Sequence, residues 1–64
     1  MIFERTMHGE VVALARLLNV PEAHLIDIAR ENQPHLRQLE DMDGDTYGLL
    51  MAFLIDVANH KEVG

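Results

Sequence analysis

The chain contains neither cysteine nor serine. Without cysteine there are no disulfides and no thiolate metal ligands. The absence is compatible with a reducing cytoplasm, which is the expected location. Without either residue the common nucleophiles are gone, apart from the hydroxyls of Thr6 and Thr46. Basic residues are also scarce: five Lys and Arg stand against eleven Asp and Glu, for a net charge of −6. Such a field repels nucleic acid and anionic membranes at long range and favours solubility and basic partner surfaces. Long hydrophobic runs are missing as well. The longest uncharged apolar stretch, Tyr47 to Ile55, falls far short of the roughly 18–20 residues that span a bilayer. The opening residues, Met1-Ile2-Phe3-Glu4-Arg5, lack a basic stretch followed by an apolar one, so no signal peptide is expected.

What remains is a 64-residue chain that is 48% apolar, read as one small domain over residues 1–64. A domain of this size buries only about 60% of its unfolded surface. Many such domains gain stability by oligomerising. No repeat, low-complexity stretch or linker is visible, and no run alternates with period two long enough to suggest a strand. Breakers at Asn19-Val20-Pro21, Gln33-Pro34 and Asp43-Gly44-Asp45 divide the chain into helices. The expected fold is all-α, a compact bundle of three to four short helices.

The first helix is predicted from about Thr6, as cap, to Leu18, with Met7, Val11, Leu14 and Leu18 on one face and Ala15 beside them. Asn19 suits the left-handed position that ends a helix. The second is predicted from Pro21 to about Glu31, with Leu25, Ile28 and Ala29 inward. A third, the least regular, is predicted from Pro34 to Glu40, with Leu36 and Leu39 as its narrow stripe. The fourth is predicted from Thr46 to about His60, capped by Asp45 or Thr46. Leu14, Leu18, Leu50 and Leu54 are the expected core.

The fourth helix is apolar over an unusually wide arc. Tyr47, Leu50, Leu54 and Val57 define its face, and Met51, Phe53 and Ile55 widen that face to roughly 200°, beyond the usual stripe of about 100° or more. Leu49 lies further round. Three shorter helices are not expected to cover it all, and an uncovered apolar patch marks a contact surface. Leu49, Met51, Phe53 and Ile55 are the candidate protein interface, and Met51 suits an adaptable one. The plain alternative is a central helix surrounded by its neighbours.

A small Ala15 on the first helix, Asn19 in the turn and the aliphatic Leu25 on the second helix follow a known spacing. On these residues the segment 12–28 resembles the helix-turn-helix unit of repressor-like DNA-binding families. The resemblance implies a close helical corner, with the small residue at the crossing and the aliphatic plugging the core. It also implies a DNA-reading second helix, and hence a small transcription regulator as the first functional alternative. The chain departs from the family in Asn19, where glycine is usual. It departs again in the would-be recognition helix, whose outward residues include Glu22, Asp27 and Glu31, with only His24 and Arg30 to meet phosphate.

Glu40-Asp41-Met42-Asp43-Gly44-Asp45 carries four carboxylates. A calcium loop starting at Asp41 would need glycine at its sixth position and glutamate at its twelfth; Thr46 and Ala52 stand there. Asp41, Asp43 and Asp45 are therefore read as a solvated turn that caps the last helix. They could also form an acidic patch for a basic partner, or one imitating nucleic-acid charge, which makes an acidic inhibitor of a nucleic-acid-binding protein the second alternative. His8, His24, His35 and His60 lack metal-site spacing, and there is no glycine-rich phosphate loop. Neither a cofactor nor a metal is expected, and the chain is not expected to be an enzyme. The reading is a regulatory protein–protein interaction module, homodimeric or bound to a protein partner, with nucleic acid and membrane not expected as partners.

Overall fold

The computed structural model describes residues 7–63, with side-chain environments through His60. Three helices follow in order: α1 (Met7–Leu17), α2 (Glu22–Ala29) and α3 (Gly44–Val63), with a 3₁₀ turn at Leu39–Asp41 before α3. There is no strand among the described residues. The fold is the expected all-α bundle. The Thr6 cap lies outside the described residues.

The end of α1 is set by local chemistry. Asn19 takes φ 60°, the left-handed position. The Val20 N–H donates to the Ala15 carbonyl at 2.8 Å and the Asn19 N–H to the Arg16 carbonyl at 3.2 Å. This paired closure satisfies carbonyls that the helix leaves orphaned, and asparagine pays less than most residues to enter that conformation. Pro21 serves as the N-cap of α2 (φ −66°, ψ 145°) rather than its first helical residue, with no side-chain cap of its own. After Ala29 the backbone continues in single turns, the Gln33 N–H reaching the Ala29 carbonyl at 2.8 Å.

The helix predicted over Pro34–Glu40 does not form. The segment is too short to repay helix nucleation, and it instead anchors three side chains one by one: Leu36, Leu39 and Met42 are all buried. Only Leu39 lies within the 3₁₀ turn; Leu36 precedes it and Met42 follows in extended backbone. The cap of α3 also differs from the sequence reading. Neither Asp45 nor Thr46 serves; Asp43 does. Its Oδ1 accepts the Thr46 N–H at 2.8 Å, and its carbonyl accepts the Tyr47 N–H at 2.9 Å. Thr46, two residues inside the helix, is the one buried polar residue of the core, and its Oγ1 accepts a hydrogen bond from Asn32 Nδ2 at 2.9 Å. Gln33 Oε1 accepts the Asp43 N–H at 2.8 Å. The exit of α2 is thus pinned to the entry of α3.

The core lies along one side of α3. Thr46, Leu50 and Leu54, four residues apart, are fully buried. α1 and α2 both pack on α3 and on the 3₁₀ turn, contributing Val11 and Ala15, and Leu25 and Ala29. The buried line of α1 is therefore centred on Val11 and Ala15. Leu14 and Leu18, expected as core, are half-buried flanks packed against it, and Met7 is exposed. The physical reason is helix geometry: Val11 and Ala15, four apart, share one line of α1, and with that line turned to the core Leu14 and Leu18 fall to one side of it.

Leu54→Ala is expected to cost about 2–5 kcal/mol through lost transfer energy and a cavity. A chain of this size holds only roughly 3–10 kcal/mol in all, so thermal unfolding followed by circular dichroism should show the variant largely unfolded. Asp43→Ala should cost only about 1 kcal/mol, the worth of a cap, and Asp43→Asn should recover most of it. If the Asp43→Ala and wild-type melting curves superimpose, the cap contributes nothing.

Candidate interaction face

The four residues singled out on the last helix part company in the structure. Leu49 and Ile55 are exposed, at 37% and 53% of their accessible surface. Met51 and Phe53 are half-buried and pack against the core. Phe53 also meets His24 of α2 edge-on, with ring centroids 5.5 Å apart and planes at 60°. The wide arc is thereby divided. Thr46, Leu50 and Leu54 fill its centre, and Tyr47, Met51, Phe53 and Val57 form half-buried shoulders. Leu49 and Ile55 stand on opposite edges of the side facing water. Between those edges lie Gly48 and Ala52, both exposed, with Asp45, Asp56 and Asn59. A Cβ added to Gly48 would meet nothing within 4 Å. Glycine inside a helix costs about 0.5–1 kcal/mol relative to alanine, and no neighbour among the described residues requires it there.

The outer face is therefore mixed: two large apolar edges, a small-residue centre and two carboxylates. The molecule is thin, 18 Å in its smallest extent. Among the described residues no second layer of helices covers this side of α3. Elsewhere, Leu17 stands 80% exposed at the end of α1, outside the stripe read from the sequence.

Asp41, Asp43 and Asp45 are all exposed. Asp43 is committed to capping α3, and Gln33 ties down the backbone of Asp41 and Asp43. Among the described residues no three His, Asp or Glu side chains are grouped to hold a metal ion. The helical corner of segment 12–28 is present, with Ala15 and Leu25 fully buried and Asn19 left-handed in the turn. The exposed side of α2 carries Glu22, His24 and Asp27. Arg30, the cation that would complete a phosphate contact, donates from Nε to the Leu36 carbonyl at 2.8 Å. Among the described residues no helix is long and apolar enough to cross a membrane.

A contact the sequence did not announce ties α1 to α3. The Tyr47 hydroxyl donates to Glu10 Oε2 at 2.6 Å. The residues are far apart in the chain and polar at the tip, so neither periodicity nor a motif pairs them. This bond to a carboxylate stabilises the neutral phenol and, with some burial and the negative charge of Glu10, holds the Tyr47 pKa above its ordinary 10.0. A raised folded-state pKa means the contribution is complete below pH 10 and is lost as pH rises through the folded value. Ultraviolet titration of the single tyrosine should give a transition above 10.0 that Glu10→Gln returns towards it. An unchanged transition in that variant would mean the bond does not persist in solution.

No protein-family model, no curated protein and no solved structure matches this chain.

Proposed function

We propose that this protein is a non-catalytic, regulatory interaction module, and that the outer face of α3 joins it to a second copy of itself. The carrying observation is the exposure of Leu49 and Ile55 on a helix whose opposite side is already filled by the core. Large apolar side chains left exposed on a helix face already backed by a core are the usual mark of a contact surface. Gly48 and Ala52, lying between the two apolar edges, leave room for another helix backbone to approach, and Gly48 has no contact among the described residues that explains it. Small domains commonly recover missing core in this way.

Sedimentation and light scattering should give a mass near twice the 7.3 kDa chain at high micromolar concentration. Ile55→Gln and Leu49→Gln should stay helical and dissociate, because both side chains are already exposed within one chain. Gly48→Ala should raise the melting temperature of isolated chains by restoring helix propensity, yet weaken pairing by obstructing the crossing. Salt gives a second sign. Two chains of charge −6 repel each other, so screening should strengthen self-association, whereas binding to a basic partner would weaken with salt. A monomer at every concentration and ionic strength overturns the homodimer.

A further inference from the structure

A second surface, away from the outer face of α3, has the makings of a small-molecule site. A groove of about 530 Å³ runs between one side of α1, the start of α2 and the 3₁₀ turn. Its floor is apolar: Val12 and Ile26 are half-buried and Leu39 is buried. Its rim carries two of the chain's five cationic side chains, Arg16 and Arg37, together with His8. With Glu22 and Glu40 on the same rim the lining is formally neutral, in a protein whose net charge is −6.

The two arginines are not otherwise spent. Arg16 stands 3.9 Å from Glu22, at the outer limit of an ion pair, with both side chains exposed. Such a pair is worth little. Arg37 makes no hydrogen bond or ion pair with any described residue. Its backbone is nevertheless held in place, because the neighbouring Leu36 is buried and its carbonyl accepts the Arg30 guanidinium. Arg30 and Arg37 thus divide the work: one fixes the loop, the other presents a free planar fork beside the groove. An arginine fork matches a carboxylate in two parallel hydrogen bonds.

We infer that this groove binds a small monocarboxylate with an apolar body, the tail on Val12, Ile26 and Leu39 and the carboxylate between Arg37 and Arg16. The volume falls within the roughly 300–1,000 Å³ of ligand sites. Charge decides for one carboxylate over a polyanion. Glu22 and Glu40 also stand on the rim, and the whole chain repels multiply charged anions. One carboxylate can displace the loose Glu22 contact; several phosphates or a run of acidic residues would meet both glutamates.

The test uses the whole chain and two probes of equal length, octanoate and 1-octanol, titrated in ¹H–¹⁵N correlation spectra. Octanoate should shift the amides of Val12, Ile26, Arg37 and Leu39 saturably, and octanol should bind about tenfold more weakly, for want of the charged hydrogen bonds. Arg37→Gln should weaken octanoate about tenfold and leave octanol unchanged; Arg37 is exposed, so the variant keeps its fold, and Arg16→Gln provides a second variant. Unsaturable shifts, equal binding of the alcohol, or indifference to both arginine variants would overturn the site. None of these readouts depends on whether α3 pairs with a second copy, since Ile55→Gln should bind octanoate as the wild type does.

Discussion

Every other feature of this fold leans on one side of α3. Thr46, Leu50 and Leu54 line up at intervals of four along that side, fully buried, and both α1 and α2 find their main partner there. α3 is 20 residues long, whereas α1 has 11 and α2 has 8. Two short helices and a 3₁₀ turn can cover one side of such a rod and part of its shoulders. Among the described residues the opposite side is left uncovered by arithmetic of length, before any question of function arises.

That constraint explains where the polar chemistry is spent. The chain between α2 and α3 must turn back sharply with its three apolar side chains facing inward. It does so through a short relay of side chains: Asn32 to Thr46, Gln33 to Asp43, and Asp43 to the first turn of α3. Thr46 is tolerated in the core because Asn32 donates to its hydroxyl. The acidic run that looked like a ligand loop is thereby partly absorbed as punctuation. Asp43 in particular faces a helix N-terminus, where a carboxylate is favoured by the free amides and the dipole.

The same economy leaves the surfaces the chain has not used. On one side the small centre and apolar edges of α3 stay open. On the other, the loop that buries Leu36 carries Arg37 out to a groove rim without giving it a partner among the described residues. The two surfaces differ in kind: a helix face suits another helix, and an apolar floor with a guanidinium edge suits a small acid. Both are unsatisfied remainders of a fold with too few elements to close on itself.

The fold class and three of the helices were legible in the sequence, because periodicity and punctuation act locally. Asn19 carried the end of α1, Pro21 the start of α2, and the positions of Leu50 and Leu54 the buried stripe of α3. The overwide apolar arc of α3 was equally plain. What the sequence could not settle was which part of that arc is covered, since Met51 and Phe53 differ from Leu49 and Ile55 only in what happens to lie opposite them. For the same reason the segment 34–40 read as a helix: the spacing of Leu36 and Leu39, with Met42 beyond, fits a helical stripe as well as it fits an irregular loop anchored side chain by side chain. Only the placement of α1 and α2 against α3 selects between them. The cap at Asp43 is local, three residues from the Thr46 amide it accepts, and was missed because Asp45 and Thr46 offered competing cap chemistry beside it. The Tyr47–Glu10 clasp and the meeting of Arg16 and Arg37 at one groove are decided by tertiary structure alone, because each joins groups whose neighbourhood exists only once the helices have packed.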